Sequence, residues 1–384
     1  MIKVLIYWLV RNCIAKSYDV FEFLREWPFV LLLKGPDYTH EIHSLESRGV
    51  ERLAVVTPHP TTALKFTLRN VVDGLVKNDY TVVVLTYRVS DLDWLKGEYP
   101  EVYVAPRGLR GRDFGAWKFF LLAVLKSRKL KDGIKRLVLA NDSMYYTRNG
   151  TCAIIKSLSE SNKSWACVYE NNEIHYHAQS FFLAFSADVL KDCHFARFWT
   201  AYQPYSTRKH SIDNGEVGLS RVMKKGHGMP DCYISTERLL DGLNQMTESQ
   251  ALSAIDVLDK SPWVNDVAID TMRKLAGVLP FDSGTYSDRA NIDVTRKFLT
   301  DVVVNLKETK NPSHSIGILA NQLFGAPLKR DICYRGINRI AHVMQFTTGY
   351  SKDEMAAIDE DLRAKGIPES LSGMRKVLAL IGRM

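Results

Sequence analysis

What this chain can fold into is set by residues 51–140, where short β-branched apolar runs alternate with segments of helical spacing. ERLAVVT at 51–57 ends in Pro58 and Pro60, YTVVVLT covers Tyr80–Thr86, a third run is Val102–Ala105, and RLVLA covers Arg136–Ala140. Between the first two, apolar residues at 64, 68, 71, 72, 75 and 76 follow a helical period, with Thr61 or Thr62 placed to cap it. Another helix is expected from about Gly115 to Ser127. Strands that alternate with helices in this way predict an α/β fold around a doubly wound, mostly parallel sheet. Ligands of such sheets bind at the carboxyl ends of the strands. Arg107–Asp113 and Asn141–Ser143 both fall at those ends.

Beyond this region, Ser164–Tyr169 and Ser180–Phe185 are expected as strands and Val217–Lys225 as a short helix. Helical patterns continue at Ala251–Leu258 and Ala268–Val278, and the segment from 336 onward is helical and charged. The organisation expected is an N-terminal extension over 1–50, a main domain over 51–335 and a helical tail over 336–384. No apolar run reaches the roughly 20 residues a membrane-spanning helix needs. The six cysteines form no CxxC pair, so their spacing supports neither a zinc site nor a disulfide framework. They are expected as packed free thiols in a cytoplasmic protein.

The net charge of +8 is concentrated. Residues 107–136 hold ten basic side chains against Asp113 and Asp132, an excess equal to that of the whole chain. A segment of this kind attracts phosphates, nucleic acid or a lipid surface. Lys126–Lys131 also fits a solvated helix end, whereas Arg107–Arg112 lies in a glycine-bearing loop after a strand.

Five constellations carry chemistry. In Gly111-Arg112-Asp113-Phe114-Gly115-Ala116-Trp117 the glycines allow close backbone approach, and Asp113 fits either a helix cap or a ligand to a sugar hydroxyl. Asn141-Asp142-Ser143 follows RLVLA directly; it fits a carboxylate that meets a divalent ion on a diphosphate, or an Asx-turn that ends the strand. His177, Gln179 and Ser180 lead into a strand and fit either an acceptor site or the satisfaction of buried backbone. In Asp213-Asn214-Gly215-Glu216, a carboxylate at a helix start fits a general base or a favourable helix-dipole residue. Asn311-Pro312-Ser313-His314 and Gly325-Ala326-Pro327-Leu328-Lys329-Arg330 add an imidazole and a basic pair.

The order GRDFGAW, NDS, HAQSFFLAF with Phe198-Trp199, NGEVGLSR, NPSH and GAPLKR resembles the rhamnan synthesis F family of glycosyltransferases, over roughly residues 51–335. Tyr146-Thr147 stands where that family often has Gly-Pro after NDS, so a different loop is expected there. The resemblance implies a GT-A-like architecture with a helical C-terminal region. It implies transfer of a sugar, L-rhamnose by the family's label, from a nucleotide-diphosphate donor to a growing, lipid-linked bacterial surface polysaccharide. The donor-binding residues implied are Gly111, Arg112, Asp113, Asn141, Asp142, Ser143, His314 and Lys329; those for the acceptor are His177, Gln179 and Ser180. Asp142 takes the place of a metal ligand for Mg²⁺ or Mn²⁺, with a lone carboxylate where the family's metal element has two. An inverting step needs a base, for which Glu216 leads and Asp213 follows. Work on a lipid-linked acceptor places the chain in the cytoplasm, in peripheral contact with the inner membrane face through the basic segment or Tyr7, Trp8 and Leu9.

Other classes fit less well. The sequence lacks GxxxxGK[ST] and GxGxxG, which disfavours ATP-loop and dinucleotide enzymes. The basic segment carries no recognised RNA or DNA motif, so no nucleic-acid partner is expected. A non-catalytic nucleotide- or polyanion-binding protein of the same fold is the alternative to an enzyme.

Overall fold

The computed structural model describes residues 2–58, 64–259, 261–277, 292–333, 338–366 and 371–380. Its strands are β1 Arg52–Thr57, β2 Thr81–Thr86, β3 Tyr103–Pro106, β4 Arg136–Asn141, β5 Met144–Tyr145, β6 Trp165–Cys167, β7 Glu170–Asn171, β8 His177–Ala178, β9 Phe182–Ser186, β10 Asp231–Cys232 and β11 Leu328–Lys329. Seven of them form one sheet in the order β10-β6-β9-β4-β1-β2-β3. β1 pairs in parallel with β2 and β4, β2 with β3, and β6 with β10; β9 runs antiparallel to β4 and β6. The fold is therefore α/β around a mostly parallel central sheet.

The apolar runs of β1, β2 and β4 are continuous because both faces of these strands are buried. Successive side chains alternate between two cores. Leu53, Val55, Val83, Leu85, Leu137 and Leu139 pack on one side, beneath a helix α1 over Thr39–Arg48 and a helix α2 over Arg112–Lys126. Ala54, Val56, Val82, Val84, Val138 and Ala140 face the other, against α3 Lys65–Val76 and α4 Arg148–Ser159. Tyr38, Ile42 and Leu45 belong to the first of these cores, so the later part of the N-terminal extension is built into the main body. From the C-terminal tail, Ile358 and Leu362 of α5 (Lys352–Lys365) are buried in the second.

Several expected boundaries move. The third strand is shifted to Tyr103–Pro106, and the helix expected from Gly115 starts at Arg112. The caps proposed at Thr61 and Thr62, and the end of a helix at Val278, lie outside the described residues. The basic segment is not one patch, because α2 separates its parts by 15 helical residues, roughly 22 Å of axis. Arg107, Arg110 and Arg112 stand at the carboxyl end of the sheet. Lys126–Lys131 stands at the opposite end, and Arg136 is buried, donating to the carbonyls of Leu158, Ser161 and Lys163.

Candidate active site

Strand order reverses between β1 and β4, and the crevice beyond the carboxyl ends at such a point is where open α/β sheets hold ligands. A cavity of about 920 Å³ opens there, bordered by Tyr87 after β2, Arg107 after β3 and Asn141–Ser143 at the end of β4. Its size lies within the usual range for small-molecule sites.

Gly111 (φ 82) and Arg112 (φ 50) take left-handed backbone to turn the chain from β3 into α2. A Cβ on Gly111 would stand 2.4 Å from Pro204 Cβ, and one on Gly115 would stand 2.1 Å from the Arg110 carbonyl oxygen. These glycines serve close packing, and Gly111 does not line the cavity. Arg112 and Asp113 do. Asp113 lies within the first turn of the helix, not ahead of it, and accepts from Asn141 Nδ2 at 2.9 Å with Arg107 Nη1 at 3.9 Å. The remainder of the motif is packing: Phe114 stacks on Trp199 and touches Trp117 and Tyr202.

At the end of β4, Asn141 Oδ1 accepts from the Ser143 N–H at 3.0 Å. The Asx-turn is thus present, and its Asn also bonds Asp113. Asp142 and Ser143 both line the cavity. The loop that follows is held by its side chains: Tyr146 donates to the Phe181 carbonyl at 2.8 Å and Thr147 to that of Gly325 at 2.9 Å. β5 then pairs antiparallel with β11, Lys329 opposite Met144, which carries the late basic pair back over NDS. Arg330 Nη1 lies 3.5 Å from Asp142 Oδ2, and the same guanidinium bonds Asp361 of α5 at 2.9 Å. Asp361 also accepts from Tyr145 at 2.6 Å and pairs with Lys365. Asp361 and Lys365 line the cavity, so the tail contributes to the site.

Glu216 is not at a helix start. It ends a π-helical segment, Ser211–Glu216, that joins Arg208–His210 to α6 Val217–His227 without interruption. Such π segments are frequent at functional positions. Glu216 Oε1 accepts from the Ser180 backbone N–H at 2.9 Å and from its hydroxyl at 2.7 Å. Its Oε2 lies 3.6 Å from His177 Nε2, and His177 Nδ1 is 2.7 Å from the His175 carbonyl. A carbonyl only accepts, which assigns the proton to Nδ1 and leaves Nε2 facing the carboxylate. Asp213 pairs with Lys209 and is half-exposed at the rim. Gln179 is buried, gives Nε2 to Asn311 Oδ1 at 2.8 Å, and its Oε1 has no partner among the described residues.

His314 Nε2 meets Asp331 Oδ1 at 2.8 Å, and Arg208 Nη2 lies 3.5 Å from Asp331 Oδ2. Burial alone would raise the Asp331 carboxyl, but His314, Arg208 and Lys329 hold it well below the usual carboxylate range. Burial pushes the Lys329 ammonium down, with Arg208 adding to the fall and Asp331 opposing it. Burial, and Arg208 again, lower Arg112. Arg208 is therefore an electrostatic neighbour of both Lys329 and Arg112.

All the proposed site residues except Gly111 thus border one cavity. The sequence reading missed Tyr87, Arg208, Asp331, Asp361 and Lys365. Asp331 directly follows the basic pair and Arg208 sits in a basic tripeptide, so local signals existed for these two. Asp361 was visible only as part of an acid cluster. A divalent ion at Asp142 finds a poor donor set, because that carboxylate faces Arg330 and the nearby Asp113 faces Arg107. Among the described residues, the group able to offer three ligand atoms to one ion is Asp192, Cys193 and His194, at the start of the helix Cys193–Ala201 and outside this cavity.

No family model matches the chain. Over 158 residues it is 28% identical to a Sinorhizobium fredii protein described as "Uncharacterized protein y4gN", a match that covers 40% of each chain.

Proposed function

We propose that the protein is a glycosyltransferase of GT-A-like architecture. It moves a sugar, L-rhamnose on the family's label, from a nucleotide-diphosphate donor to a hydroxyl of a growing, lipid-linked surface polysaccharide. One observation carries this reading: six motifs scattered from residue 111 to residue 330 converge on one cavity at the switch point of the sheet. A merely structural role for each would not require them to share it. The donor half is the end of β2 to β4 with Lys329 and Arg330; the acceptor half is His177, Gln179, Ser180 and Glu216.

In the step proposed, an acceptor hydroxyl attacks the anomeric carbon as its bond to the diphosphate oxygen breaks, and the electron pair leaves on the nucleoside diphosphate. The hydroxyl proton passes to Glu216 Oε2, the oxygen not held by Ser180, and His177 Nε2, 3.6 Å away, is a second acceptor to which that proton can move on. Asp213 is the weaker candidate, because Lys209 occupies it at the rim. Gln179 borders the same cavity, held by Asn311, with its buried Oε1 left without a partner among the described residues.

Among the described residues no helix is long and apolar enough to cross a membrane. Contact with an anionic membrane surface is proposed through the N-terminal helix Ile2–Leu31. Its inner face buries Ala15, Glu22, Glu26 and Val30, with Glu26 accepting from the Ser206 N–H at 2.6 Å. Its outer face exposes Val10, Ile14, Phe21, Leu24, Trp27 and Leu31. On a helical wheel from Val10 onward these occupy one arc free of charge, and Arg11, Lys16 and Arg25 border it, exposed. An apolar arc with cationic margins suits an interface of lipid tails and anionic headgroups. A second copy would bring like charges together. Tyr7, Trp8 and Leu9 have side chains outside the described residues.

The test is a panel of dTDP-, UDP- and GDP-sugars read by thermal shift and by hydrolysis, with salt-dependent binding to random oligonucleotides as the contrast. Stabilisation by one nucleotide sugar, followed by its turnover, is expected. Binding without turnover under any acceptor condition would favour the non-catalytic alternative. Oligonucleotide binding alone would overturn the reading.

A further inference from the structure

Lys329 is the unusual cation of the cavity. Four of the other lining cations have protein counter-charges: Arg107 faces Asp113, Arg208 faces Asp331, and Arg330 lies between Asp142 and Asp361, which Lys365 also meets. Arg112 donates Nε to the Ser206 carbonyl at 2.8 Å. The Lys329 ammonium meets Ser143 Oγ at 3.3 Å and the face of Phe181 at 5.3 Å, and among the described residues it forms no ion pair. Its acidic neighbour Asp331 is already paired with His314 and Arg208, so the cluster carries an excess of positive charge that a ligand's negative charge would offset. The site is open to such a ligand: Lys329, Arg208 and Arg112 all border the cavity.

Asp142 has the opposite character. A metal-binding carboxylate needs free oxygen lone pairs and companion ligands. Asp142 faces Arg330, and Asp361, held by Arg330, Lys365 and Tyr145, completes a salt-bridged chain that anchors α5 beneath the cavity. Placing a divalent cation at Asp142 would set it against that guanidinium.

We infer that the donor diphosphate is neutralised by side-chain cations, with Lys329 as the principal contact flanked by Arg208 and Arg112, and that donor binding and transfer need no divalent ion. This rests on the glycosyltransferase reading and deepens it, since it assigns the charge on the departing nucleoside diphosphate to the protein. As the anomeric bond breaks, negative charge grows on the leaving oxygen. A fixed ammonium in a partly dry site stabilises that charge without reorganisation. Asp142 becomes a positioning residue that holds Arg330, and through it the β5–β11 pairing that aims Lys329.

The experiment uses the full chain and titrates UDP, GDP, dTDP and inorganic pyrophosphate calorimetrically, in excess chelator and again with Mg²⁺ or Mn²⁺. Affinity for the preferred diphosphate in chelator should lie within about twofold of that with metal. Lys329→Gln should weaken it by about tenfold or more, the scale of one lost charge-assisted contact. Lys329→Arg, which restores the charge, should recover most of the loss and shows that the defect is not misfolding. Asp142→Asn should still bind in chelator, weakened by less than Lys329→Gln, because Arg330 keeps Asp361 as a partner. Binding and turnover lost in chelator, restored by Mn²⁺ in the wild type and not in Asp142→Asn, would overturn the inference while leaving the glycosyltransferase reading intact. If no diphosphate or nucleotide sugar binds with or without metal, the reading itself fails and the inference with it.

Discussion

At the scale of single residues, the site trades stability for charge placement, and two substitutions expose the trade. The folded state lowers the Lys329 ammonium from its ordinary value, through burial first and Arg208 second. A depressed ammonium penalises the folded state at every pH below its folded value, and the penalty lifts as pH rises through that value. Lys329→Met should therefore raise the melting temperature of the ligand-free protein at neutral pH, while it removes diphosphate affinity. The gap between the two proteins should close toward alkaline pH; a neutral-pH melting temperature below wild type would show that the ammonium is stabilising. Asp331 has the reverse sign. Its carboxyl is held low despite burial, by His314, Arg208 and Lys329. Its contribution is complete above the unfolded value of about 3.9 and is lost as pH falls from there toward the lower folded value. Asp331→Asn should cost roughly 2 kcal/mol at neutral pH, typical for hydrogen bonds to a charged group. In urea unfolding followed at several pH values, that difference should shrink in acid; a pH-independent gap would mean that charge is not what Asp331 supplies. Glu216→Gln keeps the hydrogen bond from the Ser180 N–H and removes the proposed base, so turnover should fall by roughly 10²–10⁴ with donor affinity nearly unchanged. Loss of donor binding with unaltered turnover per bound donor would make Glu216 a binding residue.

Between elements, what places Glu216 is the packing of a π segment against a helix start. A Cβ on Gly215 would stand 2.8 Å from the Phe114 ring, and Phe114 is wedged among Trp117, Trp199 and Tyr202. Gly215→Ala gains up to about 1 kcal/mol of helix propensity but overpacks a closed aromatic cluster, which typically costs 1–3 kcal/mol. The net expectation is lower stability and a drop in turnover larger than the drop in donor affinity, because Glu216 shifts while the proposed donor half does not. A variant as stable and active as wild type would show that the aromatic cluster yields. The N-terminal helix makes a separate prediction: Leu24→Glu with Trp27→Glu should abolish flotation with anionic liposomes, leaving turnover of a soluble acceptor intact. High salt should weaken wild-type flotation in part, since the cationic margins are screened and the apolar arc is not. Concentration-dependent dimerisation through this face, with no liposome binding, would assign it to a second copy. The elements themselves were unequally legible. β1, β2 and β4 stood out because strands buried on both faces read as unbroken apolar runs. The start of α2 did not, because it depends on Gly111 and Arg112 adopting left-handed backbone. The π segment also left no trace in hydrophobic spacing, so Glu216 was identified as a candidate but placed at the wrong point of its helix.

For the molecule as a whole, the features hidden from the sequence are those that join distant parts of the chain. Local pattern gave the motifs and the ends of the strands, but the β5–β11 pairing sets Lys329 opposite Met144, and Asp361 reaches Arg330 from the tail. Neither pairing has a periodicity to betray it, since each rests on complementary charge or backbone hydrogen bonds between segments with no shared repeat. The tail is consequently the sharpest whole-molecule test. If residues from 336 onward were an appendage, deleting them would leave the main domain's stability and nucleotide affinity unchanged. In the structure, Ile358 and Leu362 are fully buried against the sheet-facing core, Tyr350 donates to the Tyr145 carbonyl at 2.7 Å, and Asp361 meets Arg330 and Tyr145. Removing two buried aliphatic side chains alone forfeits roughly 3–6 kcal/mol of transfer free energy, a large share of a typical domain's stability. Arg330 would also lose its stronger partner and draw Asp142 toward itself. Truncation before Ser351 should therefore lower the melting temperature markedly and abolish nucleotide stabilisation. Asp361→Asn in the full chain separates the two effects: it leaves the apolar packing in place, so the fold should persist with a modest loss of stability, while the loosened Arg330 lowers donor affinity through Lys329. A truncated protein that melts and binds like the full chain would return the tail to the status of an appendage and detach it from the site.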